Sequence, residues 1–213
     1  MLSLHFTDLR PLRSLSAVAA LLVLAGCAGT DTRQEAAEGD ADQALREVSP
    51  QVLAQFEQAT AIMATGDLVE AEFRLKEFVL QYPGYPGAHT NLAIIHATNG
   101  NDDAARASVD EALAIDPAYP PALNQLGMLL RRQGEFELAA AAYQQAVDAD
   151  PGYALAHYNL GVLNELYLRR LDVALTHFEL YWSLSGEDSQ VEKWIVDLKR
   201  RLEAQQRAAN VTE

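Results

Sequence analysis

The chain has 213 residues, of which 49% are apolar, and its 16 basic and 30 acidic residues give a formal net charge of −14. A surface this acidic repels a phosphate backbone, so we expect no nucleic-acid partner. The single cysteine excludes an internal disulfide.

Residues 1–26 have the pattern of a secretory signal peptide. Arg10 and Arg13 precede an apolar run, which is about half the ~20 residues that a membrane-spanning helix needs. The run ends at Leu24-Ala25-Gly26-Cys27, which resembles the bacterial lipoprotein box. In that family the cysteine thiol receives a diacylglyceryl group, the leader is cut before it, and the new amino terminus is acylated. The resemblance therefore implies lipidation of Cys27, with a plain secreted protein or an uncleaved anchor as alternatives.

The residue after the cysteine carries the expectation about location. Enterobacterial lipoproteins with an aspartate there stay at the inner membrane, whereas this chain has Ala28. The resemblance thus implies a place in the bacterial cell envelope, at the outer membrane and facing the periplasm. The protein is expected to meet the membrane through its lipid anchor alone.

Residues 27–49 are polar, acidic and nearly free of large apolar side chains before Leu45 and Val48. Such a composition is typical of a flexible tether, here about 22 residues with a reach on the order of 25 Å. An extra N-terminal helix that packs on the folded part is the alternative.

A pattern of small and large apolar residues organises the rest of the chain. It reads Leu123-x-x-Leu126-Gly127-x-x-Leu130, then Ala139-x-x-x-Tyr143 and Pro151. These offsets, and their recurrence with a period of about 34 residues, resemble the tetratricopeptide repeat, a hairpin of two helices. Small residues such as Gly127 and Ala139 are predicted where the two helices cross most closely, at interaxial distances of about 8–10 Å.

The same frame divides the repeat region, residues 50–188, into four repeats at 52–85, 86–119, 120–153 and 154–187. The fourth repeat has one extra residue, in its turn near residues 168–172. We therefore predict an all-α fold, an α-α superhelix of tetratricopeptide hairpins.

A closing helix is predicted at residues 189–207. Ser189 and Glu192 form a capping-box pattern, and apolar residues at helical spacing follow them. The helix is expected to cover the last repeat, because its mixed charges disfavour the alternative of a membrane-surface helix. Residues 208–213 are expected to fray.

Catalytic and metal-binding patterns receive no support from the sequence. No nucleophile motif or phosphate-binding glycine loop is present. His89 and His96 are seven positions apart on one predicted helix, or about 10 Å, which is too far to share a metal. His157 repeats the position of His89. We predict a non-catalytic protein with no cofactor and no metal site.

The resemblance also implies where a partner would bind. In tetratricopeptide proteins the first helices of the repeats line a concave face that holds an extended peptide or a partner helix. Mapped onto this chain, that face contains Asn91, Ile94, Asn124, Gln125, Met128, Arg131, Tyr158, Asn159 and Val162. Amide side chains donate and accept hydrogen bonds at once, which suits recognition of a peptide backbone. A solvated face without a partner is the alternative.

Arg131 and Arg132 form a paired positive spot in this acidic chain, which favours an acidic segment in the partner. The chain lacks the lysines of the family's carboxylate clamp, so no free C-terminal carboxylate is expected to bind.

The sequence thus predicts a membrane-tethered, non-catalytic scaffold or assembly factor, with no indication of its oligomeric state. The chain resembles tetratricopeptide lipoproteins that serve pilus assembly and those found with TonB-type systems. A docking adaptor or regulator of peptidoglycan enzymes is the alternative function.

Overall fold

The computed structural model describes residues 49–186 and 188–211. The predicted leader, the lipidation site Cys27 and the tether before Ser49 lie outside these residues. All regular structure in the described part is helical, which confirms the predicted all-α class. The α-helices are α1 (Pro50–Thr65), α2 (Leu68–Gln81), α3 (Pro86–Thr98), α4 (Asp102–Ile115), α5 (Pro120–Arg132), α6 (Phe136–Ala149), α7 (Ala154–Leu163), α8 (Leu171–Ser185) and α9 (Ser189–Val211).

The chain divides into two compact units between Asp67 and Leu68, within the first predicted repeat. In the first unit, α1 starts where the Ser49 Oγ accepts a hydrogen bond from the Val52 backbone N–H at 3.3 Å. It ends at Gly66, whose φ of 89° favours glycine. The buried residues of α1 recur at helical spacing: Phe56, Ala59 and Met63.

The second unit contains α2 to α9. In it α3 packs on α4, α5 on α6, and α7 on α8, so three helical hairpins follow one another. The first helices of these hairpins also contact their neighbours directly, α3 with α5 and α5 with α7. Between hairpins, the Asp116 and Asp150 carboxylates accept hydrogen bonds from backbone N–H groups two residues later, at 3.0 and 2.8 Å. These contacts fix the tight turns that send the chain into the next hairpin.

Two glycines mark the close crossings that the repeat pattern predicts. A Cβ on Gly127 would lie 2.4 Å from Tyr143 Cε1, and a Cβ on Gly161 would lie 2.6 Å from the Phe178 ring. Both rings are almost completely buried. Each aromatic ring therefore lies directly on the backbone of the facing helix, which only glycine permits.

The extra residue of the fourth repeat is accommodated in a π-helical turn, Asn164–Leu168, that continues α7. The interval from Ala154 to Leu171 is longer by a single residue than the interval from Pro120 to Phe136 in the preceding hairpin. A π-helical turn holds one residue more than an α-helical turn, so the widening absorbs the insertion. Arg169 then takes a left-handed conformation with φ of 56°, unlike every other non-glycine residue in the described part.

The last helix, α9, covers the end of the third hairpin. Its buried Val191, Ile195 and Leu198 form one apolar cluster with residues of α8. The helix is capped by Asp188, whose Oδ1 accepts from the Gln190 N–H at 2.8 Å, and not by the predicted Ser189–Glu192 box. It extends to Val211, past the end predicted at residue 207.

Candidate functional site

The predicted partner-binding residues all lie on α3, α5 and α7, the first helices of the three hairpins. Ile94, Met128 and Val162 occupy the same position in successive hairpins, and each is half-buried. Because α3 contacts α5 and α5 contacts α7, these side chains form a row across adjacent helices. We call the surface that carries this row the first-helix face.

The four amides of the predicted site lie beneath that face. Asn91, Asn124, Gln125 and Asn159 are between 1% and 7% exposed. Asn159 Nδ2 donates a hydrogen bond to Asn124 Oδ1 at 2.9 Å, which joins α7 to α5. Asn91 Nδ2 is buried and has no hydrogen-bond partner in the described part of the chain. The structure thus gives the amides a packing role, and their contact with a partner stays a prediction.

Of the two arginines expected to form a positive spot, Arg132 is engaged within the fold. It donates to the Ala97 carbonyl at 2.9 Å and pairs with the Asp102 carboxylate at 2.9 Å, which joins α5 to the preceding hairpin. Arg131 is half-buried and has no ion pair among residues 49–186 and 188–211. Arg131 is therefore the member of the predicted pair whose charge is not already paired with a carboxylate in the described residues.

Tyr158 links the first-helix face to an aromatic cluster. Its ring centroid lies 5.1 Å from that of Tyr181 and 6.1 Å from that of Trp194. Burial, with smaller effects from Tyr181 and Asp188, raises the pKa of Tyr158, and Arg131 opposes this shift. The hydroxyl therefore stays protonated and available as a hydrogen-bond donor at neutral pH.

A pocket of about 300 Å³ lies between α6 and α8, over the end of α7. We call it the α6–α8 pocket. It is lined by Glu137, Ala140, Ala141, Gln144, Leu160, Asn164, Arg170, Val173 and His177. None of its polar residues was predicted as a site residue. One feature of the sequence could have indicated this pocket. The extra residue of the fourth repeat produces the π-helical turn, and that turn begins at Asn164, a residue of the pocket wall.

A pair of histidines adjoins this pocket. His157 and His177 form a hydrogen bond between their Nδ1 atoms at 3.0 Å. His157 Nε2 also contacts the Pro151 carbonyl at 3.2 Å, just as His89 Nε2 contacts the Pro83 carbonyl at 3.1 Å. The repeated contact explains why His89 and His157 share a repeat position. Burial, together with His157, lowers the pKa of His177 to about 4.

The described residues were also considered as a metal site and as a membrane span. No cluster of three or more histidine, cysteine, aspartate or glutamate residues there is placed to hold a metal ion. No helix there combines the length and apolar character that crossing a membrane requires.

Family comparison identifies the repeats. One tetratricopeptide-repeat family model matches residues 63–129, and a second matches residues 127–166. No curated protein matches the chain in a sequence search.

Solved structures show the same fold. PilF of Pseudomonas aeruginosa is 22% identical with a TM-score of 0.64, over 72% of this chain and 69% of PilF. A tetratricopeptide protein of Thermus thermophilus is 22% identical with a TM-score of 0.61, over 78% of this chain and 90% of that protein. The first tetratricopeptide domain of Spaghetti (RPAP3), bound to an HSP90 peptide, is 17% identical with a TM-score of 0.51, over 55% of this chain and 95% of that domain.

Tetratricopeptide repeats generally mediate protein–protein interaction. The hairpin geometry, the two family matches and the shared fold agree on the class of repeat. Residues 63–166 of this all-α chain are therefore tetratricopeptide repeats.

Proposed function

We propose that this protein is a non-catalytic scaffold that binds a polypeptide partner on the first-helix face. The row of Ile94, Met128 and Val162 carries the proposal, because three half-buried apolar side chains recur at one repeat position on adjacent helices. Apolar side chains aligned in this way offer a partner a continuous apolar strip. Because the row lies above the buried core, the core stays intact when the partner dissociates.

The length of the row sets the size of the partner segment. Neighbouring helices pack about 8–10 Å apart, so three side chains on successive first helices span roughly 20 Å. An extended peptide covers that distance with about six residues. A partner helix covers it with about four turns. Either segment matches the peptide or helix that the family resemblance implies.

Charge refines the description of the partner. Arg131 lies in the hairpin of Met128, at the centre of the row, in a chain of net charge −14. An acidic group in the partner, placed beside Met128, would satisfy this arginine. Because the rest of the surface is acidic, Arg131 is expected to favour one register of binding over others.

We further propose that Cys27 carries the lipid that tethers this scaffold to the outer membrane on its periplasmic side. The support is the sequence Leu24-Ala25-Gly26-Cys27, followed by Ala28, and its resemblance to bacterial lipoproteins. By the same resemblance we propose that the scaffold serves assembly of a pilus or secretion system, or of a TonB-type system.

Photocrosslinking in the native envelope tests the binding face. A photoreactive residue at Met128 of the full chain is expected to trap one polypeptide, and the matched position Glu111, exposed on the second helix α4, is expected to trap none. Combining Arg131→Glu with the photoreactive residue at Met128 is expected to remove the crosslink. Equal crosslinking from both positions would place the binding surface elsewhere.

The identity of the trapped polypeptide then separates the functions. A pilus, secretion or TonB-type component would support the proposed assembly role. A peptidoglycan hydrolase or synthase would favour the docking adaptor instead.

A further inference from the structure

Two residues that line the α6–α8 pocket differ in character from those at the same repeat positions one repeat earlier. Counted by repeat position, Asn164 stands where the preceding junction has Leu130, and His177 stands where it has Ala142. Both polar side chains have partners within the fold, in the Leu160 carbonyl and in His157, and both also line the pocket. At these two positions the pocket therefore has polar groups that the preceding junction lacks.

Asn164 presents an acceptor to the pocket. Its side chain is 3% exposed, and its Nδ2 donates to the Leu160 carbonyl at 2.9 Å. Its Oδ1 has no hydrogen-bond partner among the described residues. This oxygen can accept hydrogen bonds, so it is open to a donor supplied by a ligand.

His177 presents a second acceptor. The Pro151 carbonyl accepts only, so His157 Nε2 must carry the proton in that contact. In a neutral ring, His157 Nδ1 is then an acceptor, and His177 Nδ1 must donate to it. The lowered pKa of His177 keeps this ring neutral near pH 7. Its Nε2 is therefore left with a lone pair and no proton.

The rim of the pocket adds a carboxylate. Glu137 Oε1 accepts from Arg170 Nη2 at 2.6 Å, and both side chains are largely exposed. Arg170 follows directly on Arg169, whose left-handed conformation ends the π-helical turn. Glu137 remains able to accept further hydrogen bonds, because a carboxylate has about four lone-pair sites.

We propose that the α6–α8 pocket binds a protonated primary amine, from a small alkylamine or from a lysine side chain. An ammonium group has three N–H donors, and three residues that line the pocket, Asn164, His177 and Glu137, each carry an atom that can accept one of them. The volume of about 300 Å³ is at the small end of ligand pockets and suits an alkyl chain of this size. Small residues, Ala140 and Ala141, leave room for that chain.

Protein-observed NMR on the full chain tests the proposal, with n-butylamine and Nα-acetyl-lysine methylamide as probes. Both the His177 ring and the Asn164 amide are expected to show saturable shifts. The Nε-acetylated lysine derivative, which has no positive charge, is the matched control and is expected to give none. Saturation by n-butylamine alone assigns a small amine as the source, whereas saturation by both probes assigns a lysine side chain as well.

Variants taken from the preceding repeat make the test specific. Asn164→Leu and His177→Ala reproduce Leu130 and Ala142, so the fold is expected to tolerate them, and each should weaken binding by roughly tenfold or more. Arg170→Ala should instead strengthen binding several-fold, because it removes a like charge and frees Glu137. Asp110→Ala, on α4, is the control and should change nothing.

Three results would overturn the proposal. The first is the absence of a saturable shift with either amine. The second is equal binding of the acetylated derivative, which would mean that the pocket selects the alkyl chain alone. The third is weaker binding in Arg170→Ala, since that would make the guanidinium and not the carboxylate the binding group.

Discussion

Replacing Gly127 by alanine separates helix propensity from packing in the central hairpin. In an ordinary helix this change stabilises by about 1 kcal/mol, because alanine loses less backbone entropy on folding. Here the new Cβ would lie 2.4 Å from Tyr143 Cε1, whereas ordinary contacts start near 3.4 Å, so the ring must withdraw by about 1 Å. Tyr143 is completely buried, so its ring cannot move out into solvent without opening the core. Overpacking of this kind costs about 3 kcal/mol at the upper end, so we expect a net loss of about 2 kcal/mol.

The chain contains its own compensating pair. In the preceding hairpin, Ala93 and Val109 hold the positions of Gly127 and Tyr143, and both are fully buried in one cluster. Tyr143→Val alone leaves a cavity and should cost about 3 kcal/mol. Combined with Gly127→Ala, the loss should be smaller than the sum of the single losses by at least about 1 kcal/mol.

Urea unfolding of the full chain, followed by far-UV circular dichroism, measures these differences. Gly84→Ala is the control, because a Cβ there meets nothing within 4 Å. The Gly84→Ala variant should leave the midpoint of urea unfolding nearly unchanged. A higher midpoint for Gly127→Ala, or strictly additive losses in the double variant, would refute the close-crossing argument.

Three further predictions concern single groups. The Tyr143 hydroxyl is buried without a hydrogen-bond partner among the described residues, so Tyr143→Phe should raise the free energy of unfolding by about 1 kcal/mol in the same urea assay. The folded pKa of His177, about 4, is below its unfolded value, so the unfolded chain binds more protons between pH 6.5 and 4. Stability should therefore fall as pH drops from 7 to 5, by on the order of 1–2 kcal/mol more than in His177→Ala; parallel pH profiles would contradict this. Cys27→Ser should move the protein out of the membrane fraction, and unchanged fractionation would count against the lipid anchor.

The sequence predicted the hairpins well because their signal is local and repeated. Small residues at the crossings and aspartate–proline pairs at the turns recur from one repeat to the next, and each has a direct steric consequence. The cap of α9 was harder to predict, because two adjacent residues have equally good local signals for the N-cap position. Asp188 and Ser189 are both good N-cap residues, and the structure uses the aspartate.

The pocket and the histidine pair were beyond sequence reasoning for a different reason. His157 and His177 are 20 residues apart on two helices, and their contact depends on how α7 and α8 cross. That crossing follows the π-helical turn, and an inserted residue is equally compatible with a longer loop. The burial of the amides likewise depends on side chains from neighbouring hairpins, which periodicity does not specify.

The burial of the amide side chains determines which variants can test partner binding on the first-helix face. Asn91, Gln125 and Asn159 recur at the spacing of Ile94, Met128 and Val162, three positions earlier on the same helices. Since Asn159 bonds to Asn124 between α7 and α5, removing an amide would disturb the spacing of the helices and so the alignment of the apolar row above. A loss of binding in such a variant would not distinguish contact from packing. Half-buried Met128 and Arg131 have no comparable hydrogen bond across the helices of the described part, so variants at these two positions test contact with the partner.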